Sequence, residues 1–582
     1  MAPDPPSSFF SDPRLPLHRR YEVLRAFFLE RQSAAEIAER FGYAVGSVYA
    51  MTRDFRHCDD PAAFFFRSPA PTGRPPARPT QQLRERVIQL RKANLSLPDI
   101  KARLDAECDA APSQHVIGSI LREEGFARLP RRTRAERALA TTPRLRAPTS
   151  VLLRPGTAER FQSERAAGML CLLPWLRTFG LDRAIEAAGY PGSSTLPSLQ
   201  SVLAFVALKL SDARRYSADD LWCMDRGLGL FAGLNVLPKT ASLSAYSDRT
   251  TRAMNRKLLA AMAAIWKARG LASDTANLDF TVLPHWGDEV TLSKHWSPTR
   301  NRSLVSVAAA LAQDPDSGLL LHADARDRAA GSDGAAIEFL DFSRRHGPAV
   351  RYLAFDSRFS TYAQLARLDS EGIRFVTVRR RGKRLLERAR SLRPPALRTV
   401  RVPAAGGRTR LVSACDETVP VYAYGGDLRQ ITILRGKRRR PSLLLTNDFD
   451  SSLPAVLRRY ARRWLIEKSF SEQLAFFHLN RLSSSIVIKV DFDLTMTVLA
   501  YNLLRLLAAA LPPGYRRLTA RSLYDRLLCN AADISLTEDQ CRVTLKKKRD
   551  LPALLQALQA VGTQRIPWIG NRAIHFEGAT RS

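Results

Sequence analysis

Three acidic residues that are far apart in the chain occur where a fold could bring them together. Asp279 lies within the apolar run 277–283, and Asp356 ends the run 351–356. Glu467 lies in a stretch, at about 453–478, whose composition favours a helix. A carboxylate in a buried strand is costly unless it is paired or binds a metal ion. Three converging carboxylates would hold one or two Mg²⁺ ions, with Mn²⁺ as a substitute, and such ions support phosphodiester cleavage and joining.

The elements expected around these acids have the order of a ribonuclease-H-like fold, with three strands, a helix, a strand, a helix and a strand. The predicted strands are 277–283, 304–312, 318–323, 351–356 and 374–379, and the predicted helices are 334–345 and 361–369. In such a sheet the first strand is central and the fourth lies beside it. An acid in the first strand and one at the end of the fourth therefore face the same side, where a later helix can place a third.

Composition predicts an α/β multi-domain protein in five segments. The predicted segments are an N-terminal helix-turn-helix (1–66), a Pro-rich linker (67–80), a second helix-turn-helix-like module with a basic tail (81–148), a helical connector (149–275) and a ribonuclease-H-like catalytic domain (276–582). The last segment is expected to carry a β-rich insertion at about 385–446, with short strands at 399–402, 409–414, 419–424, 430–434 and 442–445, and helices at its C-terminal end.

The N-terminal segment has the pattern of a DNA-binding helical pair. Ser33, with Glu36 three residues later, forms a capping box that starts a helix. Gly42 permits the tight turn after it. The next helix, at about 45–55, would be the recognition helix that lies in the major groove. Its side chains expected to contact DNA are Ser47, Tyr49, Thr52 and Arg53.

The charge balance points to a polyanionic partner. The chain has 90 basic and 56 acidic residues, a net charge of +34, and double-stranded DNA is the first candidate. In the linker, Gly73-Arg74-Pro75 resembles an arm that places Arg74 in the minor groove, with a plain linker as the alternative.

Two further features bear on where the protein acts. The seven cysteines include no Cys-x-x-Cys pair, and the N-terminus has no apolar leader, so a location in a reducing cytoplasm is expected. The apolar stretch 494–511 contains Asn502 and Arg505, which favours a buried helix over a membrane span.

One motif connects the third acid to a known family. Tyr460, Arg463 and Glu467 fit the pattern Y-x-x-R-x-x-x-E. Together with Asp279 in Leu-Asp-Phe-Thr and Asp356 in Phe-Asp-Ser-Arg-Phe, the chain resembles DDE transposases of bacterial insertion sequences, in the branch with a Tyr-Arg-Glu-Lys signature. The resemblance implies that the three acids bind Mg²⁺ and catalyse DNA cleavage and strand transfer, and that Tyr460 and Arg463 help to place the transposon end. It also implies that the partners are inverted terminal repeats and target DNA, and that a homodimer forms on DNA.

The signature is incomplete in one place. The family's Lys, seven residues after the Glu, is replaced by Leu474, which puts contact with the transposon end by that residue in doubt. Glu472 is the rival third acid, but it lies roughly 140° around a helix from Glu467, so both cannot face the same metal ions. Two alternatives stay open: a catalytically silent, transposase-derived DNA-binding regulator, and another ribonuclease-H-like nuclease.

Overall fold

The computed structural model falls into two compact units, Met1–Thr80 and Gln81–Ser582. The described residues are 13, 16–58, 60–66, 81–93, 95–107, 111–126, 152–153, 158–193, 196–213, 225–285, 292–297, 301–327, 334–356, 361–379, 382–392, 396–403, 409–435, 440–479 and 486–579.

The described part of the first unit is helical. Its helices are α1 (Pro16–Phe28), α2 (Ala34–Phe41), α3 (Val45–Arg56) and α4 (Pro61–Phe66). The capping box at the start of α2 is present, since the Ser33 hydroxyl accepts a hydrogen bond from the Glu36 amide and the Glu36 carboxylate accepts one from the Ser33 amide. Gly42 ends α2 with φ +68°, a conformation that costs glycine little. A small apolar core joins α1, α2 and α3 through Val23, Ile37, Phe41 and Val48.

The second unit begins with helices and one strand. These are α5 (Gln81–Lys92), α6 (Leu97–Glu107), α7 (Gln114–Glu123), β1 (Glu159–Ser163), α8 (Leu173–Thr178), α9 (Leu181–Ala187), α10 (Ser198–Leu210), α11 (Arg226–Phe231), α12 (Thr240–Tyr246) and α13 (Arg252–Ala268). Helices α5–α7 enclose an apolar core of their own. Glu124, just beyond α7, is buried and pairs with Arg84 of α5 at 2.8 Å and with Arg252 of α13 at 3.5 Å. This ion-pair network fixes the three helices against the rest of the unit.

A mixed sheet follows, and its strand order is that of a ribonuclease-H-like fold. Its elements are β2 (Thr275–Pro284), β3 (Lys294–Ser297), β4 (Arg302–Gln313), β5 (Leu320–Arg326), α14 (Ala335–His346), β6 (Tyr352–Phe355), α15 (Tyr362–Ser370) and β7 (Arg374–Val378). The order across the sheet is β5-β4-β2-β6-β7. Strand β2 is antiparallel to β4 and parallel to β6, which is parallel to β7. All five predicted strands are present, whereas the four-residue β3 was not predicted.

An antiparallel meander extends this sheet beyond β7. Its elements are α16 (Lys383–Ser391), β8 (Arg398–Pro403), β9 (Thr409–Val421), β10 (Gly426–Arg435) and β11 (Arg440–Thr446), and β11 pairs antiparallel with β7. The sequence predicted two strands, at 409–414 and 419–424, where the structure has the single strand β9. The charged residues Asp416 and Glu417 between them continue the strand because they bind Arg429 and Gln430 on the neighbouring β10.

The C-terminal region contains a second sheet that the sequence did not predict. Its helices are α17 (Leu453–Arg462), α18 (Trp464–Ala475), α19 (Val487–Ala510), α20 (Ala520–Leu523) and α21 (Leu551–Val561), and its strands are β12 (Ala532–Leu536), β13 (Gln540–Leu545), β14 (Gln564–Ile566) and β15 (Arg572–Gly578). The sheet has the order β1-β12-β13-β15-β14. The connector and the C-terminal region contain the expected helices, but the strands that both contribute to this sheet were not predicted. Strands β12 and β13 are short and have period-two burial, and β12 pairs here with β1, more than 300 residues earlier in the chain.

Helix α19 passes through the middle of the second unit. Among the described residues it is the one helix long and apolar enough to cross a membrane, and 89% of its most apolar window is buried inside the protein. Asn502 within it is fully buried and exchanges two hydrogen bonds, of 2.8 and 2.9 Å, with the backbone of Leu320 on β5. Its polar side chain therefore joins the helix to the sheet, as the prediction of a buried helix requires.

Candidate active site

Asp279 and Asp356 come to the same place on the sheet. Leu278 of β2 is in parallel register with Phe355 of β6. Asp279 directly follows Leu278, and Asp356 directly follows Phe355. Residues paired in this way point to the same face of a sheet. The register thus brings together the first two acids singled out from the sequence.

Glu467 reaches this face from a break between two helices. The sequence predicted one helix over about 453–478, but α17 ends at Arg462 and α18 begins at Trp464, with Arg463 between them. The side chain of Asn277 donates a hydrogen bond of 3.1 Å to the carbonyl of Arg462 and so attaches the break to β2. Asn277 was not singled out from the sequence. Its position two residues before Asp279, on the same face of the strand, is the signal that could have identified it.

Arg463 joins the acids. One terminal nitrogen of its guanidinium donates to Asp279 Oδ2 at 3.3 Å, and the other donates to Glu467 Oε1 at 2.5 Å. Burial opposes its charge, but Tyr460, Asp279, Glu467 and Asp356 outweigh burial and raise the pKa of Arg463. A cation is therefore held firmly between the first and third acids.

The environment of Asp279 is short of positive charge. Burial raises the pKa of Asp279 to about 6, and the charges of Glu467 and Asp356 act in the same direction. Arg463 and the Phe280 amide, which donates to Asp279 Oδ1 at 2.8 Å, lower the pKa but do not restore its ordinary value. Further positive charge at this point would therefore be stabilised.

Tyr460 supports the same group from α17. It is half-buried, and the guanidinium carbon of Arg463 lies 5.5 Å from the centre of its ring. Burial raises the pKa of Tyr460, Arg463 lowers it, and Asp356 and Glu467 raise it further. In this structure Tyr460 and Arg463, which the resemblance assigned to the transposon end, contact each other, and Arg463 also contacts the acids.

The structure separates Glu467 from its rival. Glu467 has 52% of its side chain exposed beside Arg463. Glu472 is buried, and its carboxylate accepts a hydrogen bond of 3.0 Å from the amide of Ala520, the first residue of α20. Glu472 therefore has a structural partner away from the acids. Leu474, at the position of the signature Lys, packs against the main apolar core.

The donor set suits a hard divalent cation, because three carboxylates supply only oxygen ligands. Among the described residues, no group of three His, Cys, Asp or Glu side chains is arranged to hold a metal ion. Arg463 occupies a cationic position between two of the acids. The elevated pKa of Asp279, which burial causes, fits a site that takes up additional positive charge. The residues thus fit a metal site that requires Arg463 to release at least one carboxylate.

The N-terminal candidates divide into exposed and buried residues. Ser47, Tyr49 and Arg53 are exposed on α3, and 58% of Tyr49 is accessible. The expectation that Thr52 faces DNA was wrong. Thr52 is buried one turn after Val48, on the core face of the helix, and its hydroxyl donates to the carbonyl of Tyr49 at 3.0 Å. Arg74 lies outside the described residues.

Comparison with known proteins gives one family match. Residues 278–503 match the family model of the transposase DDE domain. The match covers less than half of the chain but contains all three candidate acids, and it supports a DDE transposase, a class that generally depends on divalent metal ions. No curated protein matches the chain. Among solved structures, a piggyBac transposase synaptic complex with hairpin DNA is similar over 64% of this chain and 82% of that one, with 11% identity and a TM-score of 0.34. That likeness is too distant to carry residue roles to this chain.

Proposed function

We propose that the protein is a DNA transposase that cuts DNA at transposon ends and transfers the strands to target DNA. Asp279, Asp356 and Glu467 are the proposed catalytic carboxylates. One observation carries the proposal: within the match to the DDE domain, the two aspartates directly follow Leu278 and Phe355, which are paired on parallel strands, and Arg463 joins the first aspartate to Glu467.

The three acids are proposed to bind Mg²⁺, for which Mn²⁺ can substitute. Divalent cations at such a site supply activation of the attacking oxygen and stabilisation of the leaving oxygen. The residues of the chain provide the geometry: β2 and β6 set the aspartates side by side, and Asn277 fixes the end of α17 to β2. Arg463 then serves as the resident counterion until metal and DNA arrive, when it is free to turn towards a phosphate.

The rest of the chain supports binding to DNA. The net charge of +34 favours association with its backbone. We propose that α2 and α3 form a helix-turn-helix that reads an inverted terminal repeat with Ser47, Tyr49 and Arg53, and that β8–β11 are the β insertion of the bacterial Tyr-Arg-Glu-Lys branch. We also propose that two copies act together on a pair of ends.

A silent regulator is the second candidate, because Leu474 replaces the signature Lys and packs in the core. Such a protein would bind the same DNA without cutting it. A transposase and a silent regulator therefore differ in whether they cleave DNA and not in how tightly they bind it.

The test is a cleavage assay on a supercoiled plasmid that carries the DNA found on both sides of the gene. The purified protein is incubated with Mg²⁺ or with EDTA, and nicked and linear products are separated on a gel. We expect cleavage with Mg²⁺ and none with EDTA. Asp279→Asn, Asp356→Asn and Glu467→Gln should each abolish cleavage while retardation of the same DNA in a binding gel persists.

Asp427→Asn is the matched control, because Asp427 is an exposed carboxylate on β10, away from the three acids. This variant should cut like the parent protein. Binding without cleavage by the parent protein would favour the regulator. Undiminished cleavage by Asp279→Asn or Asp356→Asn would remove the assignment of the acids.

A further inference from the structure

A cavity lies behind the helix that carries Glu467. It has a volume of about 710 Å³ and is lined by parts of α18, α19, the β4–β5 turn and residues 516–517. The residues of α18 that line it recur at the spacing of a single helix face; they are Leu465, Lys468, Ser469 and Glu472. Glu467 lies on a different face of the same helix. The cavity is therefore separate from the three acids but shares their helix.

The lining of the cavity is positively charged. Its basic residues are Lys468, Arg505, Arg516 and Arg517. Its acidic residues, Asp316 and Glu472, are already engaged: Asp316 accepts from Arg462 at 2.6 Å, and Glu472 accepts from the amide of Ala520. An anionic ligand would therefore meet an excess of cations in the cavity.

Two buried polar atoms in the lining lack partners. Arg505 donates to the carbonyls of Arg516 and Leu518 at 3.3 and 2.9 Å, while its Nε has no hydrogen-bond partner. The Oε1 atom of Gln313 also has no partner, although its amide nitrogen donates to Ser469. A buried donor or acceptor left unpaired costs about 1–3 kcal/mol. The lining is therefore more polar than its own hydrogen bonds satisfy.

The remaining walls are apolar, with Leu271, Leu319 and Leu506 among them. An apolar wall with a few converging polar groups, in a volume of this size, is typical of small-ligand sites. Arginine side chains suit phosphate because the guanidinium can donate two hydrogen bonds to it. We propose that the cavity binds a nucleotide-sized ligand that carries a phosphate, with its base against the leucines and its phosphate on Lys468, Arg516 and Arg517.

Occupation of this site would act on the catalytic helix. Lys468 and Ser469 directly follow Glu467, and Glu472 lies about one turn further along. A ligand held between α18 and α19 therefore restrains α18 from the side opposite the acids. The binding claim stands apart from the proposed function, and only an effect on DNA cleavage would rest on it.

The test measures binding and needs no cleavage. Calorimetry on the full chain uses two probes in separate arms: thymidine monophosphate as a free nucleotide, and a 5′-phosphorylated tetranucleotide as a nucleotide unit of a strand. Arg516→Ala combined with Arg517→Ala should weaken binding at least about tenfold, because both remove a charge-assisted hydrogen bond. Ala509→Trp, at an exposed position in the lining, should weaken it similarly by filling the space.

The matched control removes two exposed arginines from the five-stranded sheet, through Arg160→Ala and Arg542→Ala, and should leave binding unchanged. Backbone amide hydrogen exchange in residues 464–475 should slow when whichever nucleotide probe binds is added. Binding of the mononucleotide would identify a free nucleotide as the ligand, and binding of the tetranucleotide alone would identify a strand. Absence of binding in both arms, or an equal loss in the control variant, would overturn the proposal.

Discussion

Arg463 is the residue that best explains the geometry of the candidate site. It binds Asp279 and Glu467 at once and is largely buried. Burial nevertheless raises the pKa of Asp279 to about 6, so a single guanidinium does not offset the desolvation of that carboxylate and the charges of its acidic neighbours. The site is consequently stabilised by any additional cation that the three carboxylates can reach.

Metal binding should depend on pH through Asp279. Its pKa is raised, so Asp279 is increasingly protonated below about pH 6, and a protonated carboxyl is a poor ligand. The apparent affinity for Mn²⁺, measured by electron paramagnetic resonance, should be constant above pH 7 and fall about tenfold per unit below pH 6. In Asp279→Asn the affinity should be weak throughout. An affinity of the parent protein that is constant between pH 5 and 8 would contradict this role for Asp279.

The two glutamates of α18 should have opposite phenotypes. Glu467→Ala should abolish DNA cleavage with little change in the free energy of unfolding, because the side chain is half exposed and exposed ion pairs contribute at most about 1 kcal/mol. Glu472→Ala should retain cleavage but lower that free energy by about 1–3 kcal/mol, since it leaves the Ala520 amide unpaired. Denaturant unfolding and the cleavage assay measure the two effects, and reversed phenotypes would make Glu472 the third acid.

At the scale of elements, local pattern predicted the strand that contains Asp279 and the strand that Asp356 follows, because each is a short and mostly apolar run. The order of the predicted elements was enough to place the first strand beside the fourth, as the parallel register of Leu278 with Phe355 requires. The break at Arg463 was not predictable in this way, since it depends on a hydrogen bond from Asn277 far away in sequence. The strand 159–163 was missed for the same reason: its partner lies at 532–536.

The attachment of the helix break to β2 can be tested at Asn277. Asn277→Ala removes the donor to the Arg462 carbonyl in a fully buried position, which should cost about 1–3 kcal/mol of folding free energy. The cleavage rate should fall as well, because α18 loses its fixed distance to Asp279. Ser306→Ala on β4 is a control, since Ser306 is equally buried but its hydroxyl donates only to Leu304 of its own strand. Equal cleavage rates in the two variants would argue against a positioning role for Asn277.

At the scale of the whole molecule, the part of the chain that carries the candidate acids is not a separable C-terminal half. Strand β1 forms one edge of the C-terminal sheet, and α13, which precedes β2, carries Arg252 in ion pairs with Glu124 and with Asp324 of β5. The boundary at 276 expected from the sequence therefore cuts through a continuous structure. The boundary at 80 separates two compact units.

Truncation distinguishes the two boundaries. A protein of residues 81–582 should fold with a Tm within a few degrees of that of the full chain. A protein of residues 276–582 lacks β1 and so exposes the edge of β12, a common cause of aggregation. Size-exclusion chromatography and thermal unfolding measure both outcomes. If the protein of residues 276–582 is soluble and monomeric with a Tm close to that of the full chain, the boundary at 276 is a true domain boundary.

The most direct measurement is the anomalous diffraction of Mn²⁺ in crystals of the protein bound to DNA. Mn²⁺ density is expected beside Asp279 and Asp356, with Glu467 reaching the same ion or its neighbour, and with Arg463 detached from at least one carboxylate. Two results would contradict a metal site built from these three acids. One is Mn²⁺ density only at other residues, and the other is a crystal saturated with Mn²⁺ in which Arg463 still joins Asp279 to Glu467.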